Sequence, residues 1–173
     1  MTNGNSNALS ELRAITAEAL AALDTGHQIS PFSARLSAFD LDDAYRVTAA
    51  IRQMREMRGE MPVGRKIGFT NRTIWAEYNV YGPIWGYVYN RTVHNLAEIG
   101  DTFSLLGLAE PRIEPEIVFK LALAPAPGMD ETALLACIDW VGHGFEIVQS
   151  IFFPDGSFPH PTRSRRSACT APC

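Results

Sequence analysis

Two glutamates stand two positions apart at the start of an apolar run, Ile113-Glu114-Pro115-Glu116-Ile117-Val118-Phe119. In an extended chain, side chains at i and i+2 share one face, about 6.5 Å apart. Like charges held that close repel unless water or a cation lies between them. A strand reading places Ile113, Pro115, Ile117, Phe119 and Leu121 on one face, with Arg112, Glu114, Glu116, Val118 and Lys120 on the other. Either the second face meets water, as is ordinary for an amphipathic strand, or the carboxylates are half of a site for a hard divalent cation. Mg²⁺ and Mn²⁺ suit the second case, because they take oxygen ligands and keep several waters. Glu146 alternates with Phe145 and Ile147 and is a candidate third ligand, although a lone Glu in such a strand is more often simply exposed. Pro115 cannot donate to a ladder, so its strand is expected at an edge or a bulge.

Lys66, in Gly-Arg-Lys-Ile-Gly, is the second centre of interest. The chain has 15 basic residues, and only Lys66 and Lys120 are lysines. Lys66 is either an exposed strand lysine or an ammonium that stabilises negative charge and relays a proton beside a bound substrate. Among the histidines, His143 lies close to Glu146, but glycine on both sides suggests a turn and a structural role. His27 and His94 fall in polar loops and carry no signal.

These residues need elements to position them. Leu9, Leu12, Ile15, Leu20 and Leu23 share a helical face over residues 8–23, with Ser6 or Asn7 as the expected N-cap. A second helix starts at Asp40 as cap, carries Leu41, Tyr45, Val47, Thr48, Ile51 and Met54, and closes at Gly59. From Pro62 the texture is β-type, interrupted by a short turn or helix led by Asn71 and by a turn at Gly82-Pro83. Residues 133–141 read as a third helix capped by Asp130, and residues 145–151 as a strand. Helices first and strands after make an α+β arrangement.

Composition narrows the class. At 173 residues the chain suits one ordinary domain with its own core. No apolar run is long enough to span a bilayer, and the polar, acidic first residues do not resemble a secretory leader. The expected setting is cytoplasmic, with no membrane partner. Net charge is −4 with no basic stripe, which argues against nucleic acid. The three cysteines show neither zinc spacing nor a disulfide framework.

The segments Gly64–Asn71, the Pro83-Ile84-Trp85-Gly86 turn, Arg112–Phe119 and Phe145–Ile151 come in an order that resembles the 2-keto-4-pentenoate hydratases. With the 2-oxo-3-hexenedioate (4-oxalocrotonate) decarboxylases, these belong to the fumarylacetoacetate hydrolase superfamily. The helix around Leu41–Arg55 is similar as well, and the resemblance covers roughly residues 8–152. It implies N-terminal helices followed by a mixed β-roll. It also implies a Mg²⁺ or Mn²⁺ site on Glu114, Glu116 and Glu146, a catalytic Lys66, and Thr70 near a small 2-oxo acid substrate. The implied reaction is addition of water to 2-hydroxypenta-2,4-dienoate to give 4-hydroxy-2-oxopentanoate, a lyase step of aromatic meta-cleavage catabolism. The alternatives are the decarboxylase, or an inactive remnant or partner subunit. Many relatives carry acidic residues around Pro83, and this chain does not, which leaves hydration, decarboxylation and C–C hydrolysis open. The intact protein is expected to be a homo-oligomer.

The domain reading is a helical region at 1–60, the first part of a catalytic β-roll at 61–152, and an aberrant tail at 153–173. That tail has no periodicity and adds three arginines against one aspartate. Relatives run on well past this point, and a one-base shift in the codons for the last residues permits the relatives' continuation. The tail is therefore expected to be out of frame, and the β-roll incomplete. Such a chain is open to weak metal binding, misfolding or pairing with a full-length partner.

Overall fold

A computed structural model describes residues 3–100 and 102–153. The elements, in chain order, are α1 (Asn3–Thr25), α2 (Phe32–Arg35), α3 (Leu41–Met57), β1 (Pro62–Gly68), a 3₁₀ turn (Arg72–Ile74), α4 (Trp75–Tyr78), β2 (Ile84–Tyr89), α5 (Leu96–Ile99), β3 (Arg112–Leu121), α6 (Glu131–Leu135) and β4 (Ile138–Val148). The fold is α+β, with N-terminal helices and two small antiparallel sheets, β1-β2 and β3-β4, among the described residues. The chain divides into two compact units, Met1–Glu110 with Gln149–Cys173, and Pro111–Val148.

In the first unit α1 packs against α3. The Asp40 carboxylate accepts from the Asp43 N–H, and Asp43 accepts in turn from the Asp40 N–H, a reciprocal capping box that starts α3 where expected. Gly59, at φ +81°, lets the chain turn out of the helix. The N-cap expected at Ser6 or Asn7 is corrected: α1 begins at Asn3 and runs through both. Ser and Asn are tolerated inside a helix whose apolar stripe supplies its stability.

Two small clusters make the core: Ala19, Phe32 and Val47, and beside them Ala22, Ala109 and Ile151. Ile151 is only 2% exposed. Its segment is tied in by main-chain bonds, Ile29 N–H to the Ile151 carbonyl (2.8 Å), Phe153 N–H to the Ile29 carbonyl (3.0 Å) and Ser150 N–H to the Ala109 carbonyl (2.9 Å). Gln28 adds a side-chain bond to the Ser150 carbonyl at 2.9 Å. The strand expected over 145–151 therefore ends at Val148, and residues 149–153 form a separate anchor.

The β1-β2 hairpin holds to α3 through rings and guanidinium groups. Tyr45 stacks on Trp85 at 5.2 Å, Arg52 lies over Tyr87 at 5.0 Å, and Arg55 lies over Tyr89 at 4.5 Å. Trp85, Tyr87 and Tyr89 alternate along β2, so one strand face supplies all three rings. Glu60, nearly buried, accepts from Arg58 at 2.7 Å and from Arg55 at 3.3 Å, while Arg58 also reaches Asp24. Burial holds the Tyr89 phenol above the usual tyrosine range, with Arg55 pulling the other way.

The helix expected over 133–141 is corrected as well. Only Glu131–Leu135 is helical, with the Asp130 carboxylate accepting from the Ala133 N–H as its cap. Ile138–Val141 opens β4 instead, paired with β3. Branched and aromatic residues suit a pleated strand, and the partner strand that decides the matter is distant in sequence.

Candidate metal centre

The second unit is built around one long hairpin. β3 pairs with β4 through Arg112↔Val148, Glu114↔Glu146, Glu116↔Gly144, Val118↔Gly142 and Lys120↔Trp140, with the register shifting between Lys120 and Leu121. The intervening positions, Ile113, Pro115, Ile117 and Phe119, face Ile147, Phe145, His143 and Val141. The expected two faces of β3 are both present, and both strands of this sheet are edges among the described residues. The apolar face lies open: Ile113 is 66% exposed and Phe145 60%.

On the other face the register does what sequence spacing alone cannot. Glu146 sits directly across from Glu114, and Glu116 lies one row along. Carboxylate oxygens of the three residues all lie within 4.8 Å of one another. Glu114 is exposed, and Glu116 and Glu146 are half-buried. The fourth corner of this small rectangle is Gly144, which has no side chain. The set is all oxygen and all anionic, the donor chemistry of a hard divalent cation. Two oxygens bound to one ion at about 2.1–2.4 Å are at most about 4–5 Å apart, so the three carboxylates fit a shared ion after small rotations.

His143 does not join them. The turn expected from Gly142-His143-Gly144 is corrected: all three residues lie inside β4, and His143 pairs with Ile117 on the opposite face. The glycines have a packing reason. A Cβ on Gly144 would fall 2.9 Å from the Val118 Cγ2, and one on Gly142 would fall 3.2 Å from the Trp140 ring. Val118 and Trp140 lean over the two bare positions. Trp140 was not singled out in the sequence, and the two glycines were read as a turn; the signal for the strand was the alternation of glycine with Trp140 and Glu146 at a spacing of two. Beyond them Lys120 is paired with Asp139 at 3.1 Å.

Lys66 and Thr70 belong to the first unit. Lys66 is half-buried in β1, across from Gly86, with Gly64 and Gly68 two positions away on the same face. Thr70 is exposed just beyond β1. The bend before it is unusual: Phe69 takes φ +56°, and the Trp75 indole N–H donates to the Phe69 carbonyl at 2.8 Å. Asn71 then caps the following turn through the Thr73 N–H, as expected. A bulky residue with positive φ carries strain that its surroundings must hold, and Phe69 was not singled out in the sequence.

No protein-family model matches the chain. Among curated proteins, it is 33% identical to the 2-hydroxyhexa-2,4-dienoate hydratase of Comamonas testosteroni, covering 75% of this chain and 49% of that protein. It is 30% identical to the 2-hydroxypent-2,4-dienoate hydratase of Pseudomonas putida, over 70% of this chain and 54% of the relative. A 4-oxalocrotonate decarboxylase of a Pseudomonas strain is 32% identical over 63% of this chain and 44% of its own length. The chain thus spans about half the length of the curated relatives it matches. Among solved structures, the 4-oxalocrotonate decarboxylase from Pseudomonas putida G7, complexed with magnesium and adipate, superposes with a TM-score of 0.70 at 27% identity. That match covers 84% of this chain and 55% of the other. The same enzyme complexed with calcium and acetate gives a TM-score of 0.67. No described helix is long and apolar enough to cross a membrane.

Proposed function

We propose that this chain, a homologue of the bacterial dienoate hydratases and 4-oxalocrotonate decarboxylases, carries the metal-binding part of a hydratase for 2-hydroxypenta-2,4-dienoate. The product would be 4-hydroxy-2-oxopentanoate, formed in the cytoplasm during aromatic meta-cleavage catabolism. The observation that carries the reading is the convergence of Glu114, Glu116 and Glu146 oxygens within 4.8 Å. When bound there, Mg²⁺ or Mn²⁺ would grip the carboxylate and keto oxygens of a 2-oxo acid and stabilise the negative charge that develops during proton transfer.

The protein's own residues divide the remaining work. Glu114, Glu116 and Glu146 hold the ion on one strand face. Lys66 holds or moves a proton at the substrate's reacting carbons, and its ammonium form balances developing negative charge. Thr70 donates a hydrogen bond to a substrate oxygen, its position fixed by the Phe69 bend. The decarboxylase reading is favoured by one observation, the superposition on an enzyme of that activity. It would use the same charge stabilisation after loss of CO₂.

This proposal includes the superfamily architecture: a helical region at 1–60, a mixed β-roll begun at 61–152 and completed by further strands that cover the open apolar face, and an out-of-frame tail at 153–173. The complete protein would be a homo-oligomer, and an inactive partner subunit is the outcome if the chain folds and binds without turning over. Calorimetric titration of Mg²⁺ or Mn²⁺ tests the centre: uptake is expected, and it is lost in Glu116→Gln. Equal uptake by wild type and variant refutes the site. Mg²⁺-dependent consumption of 2-hydroxypenta-2,4-dienoate supports the hydratase, and CO₂ release from the six-carbon diacid supports the decarboxylase. The nucleotide sequence across codons 150–160 decides the tail.

A further inference from the structure

Beside the carboxylates, the same face of the β3-β4 hairpin changes character abruptly. One row past Glu116 and Gly144 stand Val118 and Gly142, and the next row is Lys120 and Trp140. Rows on one face are about 7 Å apart. Val118 folds its Cγ2 over Gly144, and the Trp140 ring lies over Gly142. Two side chains therefore cover two neighbouring bare positions and give this face an apolar stretch, or shelf, beside the acidic triad. Both remain open to a ligand, Val118 at 42% and Trp140 at 49% exposure. The nearest cation along the shelf, Lys120, is engaged by Asp139 at 3.1 Å.

We propose that Val118 and Trp140 form a specificity shelf for the ligand's carbon tail, selecting 2-oxo acids with an uncharged end over dicarboxylates. The inference rests on the metal-centre reading above and deepens it. A 2-oxo acid held at the triad and running along the strands toward Val118 would pass Gly144 and meet the Val118 methyl group. An apolar end continues over Val118 and the Trp140 ring and sheds water favourably. A second carboxylate at that distance would meet hydrocarbon on one side, and the lysine at the end of the shelf, Lys120, is already paired with Asp139 at 3.1 Å. Partly desolvating a charge against such a surface costs about tenfold in affinity. Gly144 is part of the device, because a side chain there displaces Val118 from beside Glu116.

Calorimetry on the 173-residue chain tests this, first with Mn²⁺ alone and then with 2-oxopentanoate or 2-oxoadipate added to the Mn²⁺-loaded protein. The expected result is Mn²⁺ uptake with 2-oxopentanoate bound about tenfold or more tighter than 2-oxoadipate. Val118→Thr, which keeps shape and adds a hydroxyl, is expected to narrow that ratio while Mn²⁺ affinity and the circular dichroism spectrum stay unchanged. Gly144→Ala is expected to weaken 2-oxopentanoate more than Mn²⁺. Mn²⁺ uptake with equal or reversed ligand preference in the wild type overturns the shelf and leaves the centre standing. A ratio unmoved by Val118→Thr also overturns it. Absence of Mn²⁺ uptake overturns the centre and the shelf together.

Discussion

Ile151→Ala is expected to destabilise the first unit by about 3–4 kcal/mol. Ile151 is 2% exposed and packs with Ala22 and Ala109, flanked by Leu23, Ile29 and Phe152. The substitution removes three carbons, worth about 2.4 kcal/mol at about 0.8 kcal/mol per buried methylene. Two of the neighbours are alanines on fixed backbone and cannot reach into the space, so a cavity contribution of about 1 kcal/mol remains. The main-chain bond from Ile29 to the Ile151 carbonyl survives, which isolates the side-chain effect. Ile151→Val should cost only about 1 kcal/mol. Against a total stability of about 5–15 kcal/mol, the larger loss is plain in urea denaturation followed by circular dichroism. A shift below about 1 kcal/mol at unchanged m-value would refute the packing argument.

Two further perturbations probe the same unit. Gly26→Ala should destabilise by at least about 1–3 kcal/mol, because Gly26 has φ +66° and a Cβ there would lie 2.1 Å from the Gly107 carbonyl oxygen; a urea midpoint within error of wild type would refute the close approach. Burial raises the Tyr89 phenol above its ordinary value, so the folded state favours the neutral form. That stability is fully present below a pH of about 10 and is lost as pH rises through the folded value. Tyr89→Phe should therefore flatten the fall in urea midpoint above that pH, and an unchanged alkaline slope would show that another group is responsible.

Much of the fold was legible because local chemistry and tertiary structure agree. Asp40 and Asp43 announce the start of α3, Gly59 announces its end, and the alternation of Ile113 through Leu121 gives β3 its two faces. The start of β4 was not legible. Residues 133–141 form an apolar run of a length that suits a helix or a buried strand, and periodicity does not separate the two. Asp130 caps a real helix, which then stops after Leu135. The strand that follows is decided by its partner β3, and that information is not local.

The misread glycines show why the site was only partly visible. Gly142 and Gly144 around His143 carry the usual signature of a turn. In the folded chain they are strand positions left bare so that Trp140 and Val118 can lean across them. Acids reveal themselves in a sequence by charge, whereas an open position reveals itself only when its cross-strand partner is known. Register supplies that knowledge: Glu114 stands across from Glu146, and Glu116 stands across from Gly144. Three carboxylates and one bare position make up the two rows of the site, with the Val118 methyl group lying against the bare one. A methyl group at residue 144 would meet Val118 Cγ2 at 2.9 Å and no glutamate within 4 Å. The glycine thus sets where Val118 lies, as the acids set the charge, and Gly144→Ala separates the two contributions.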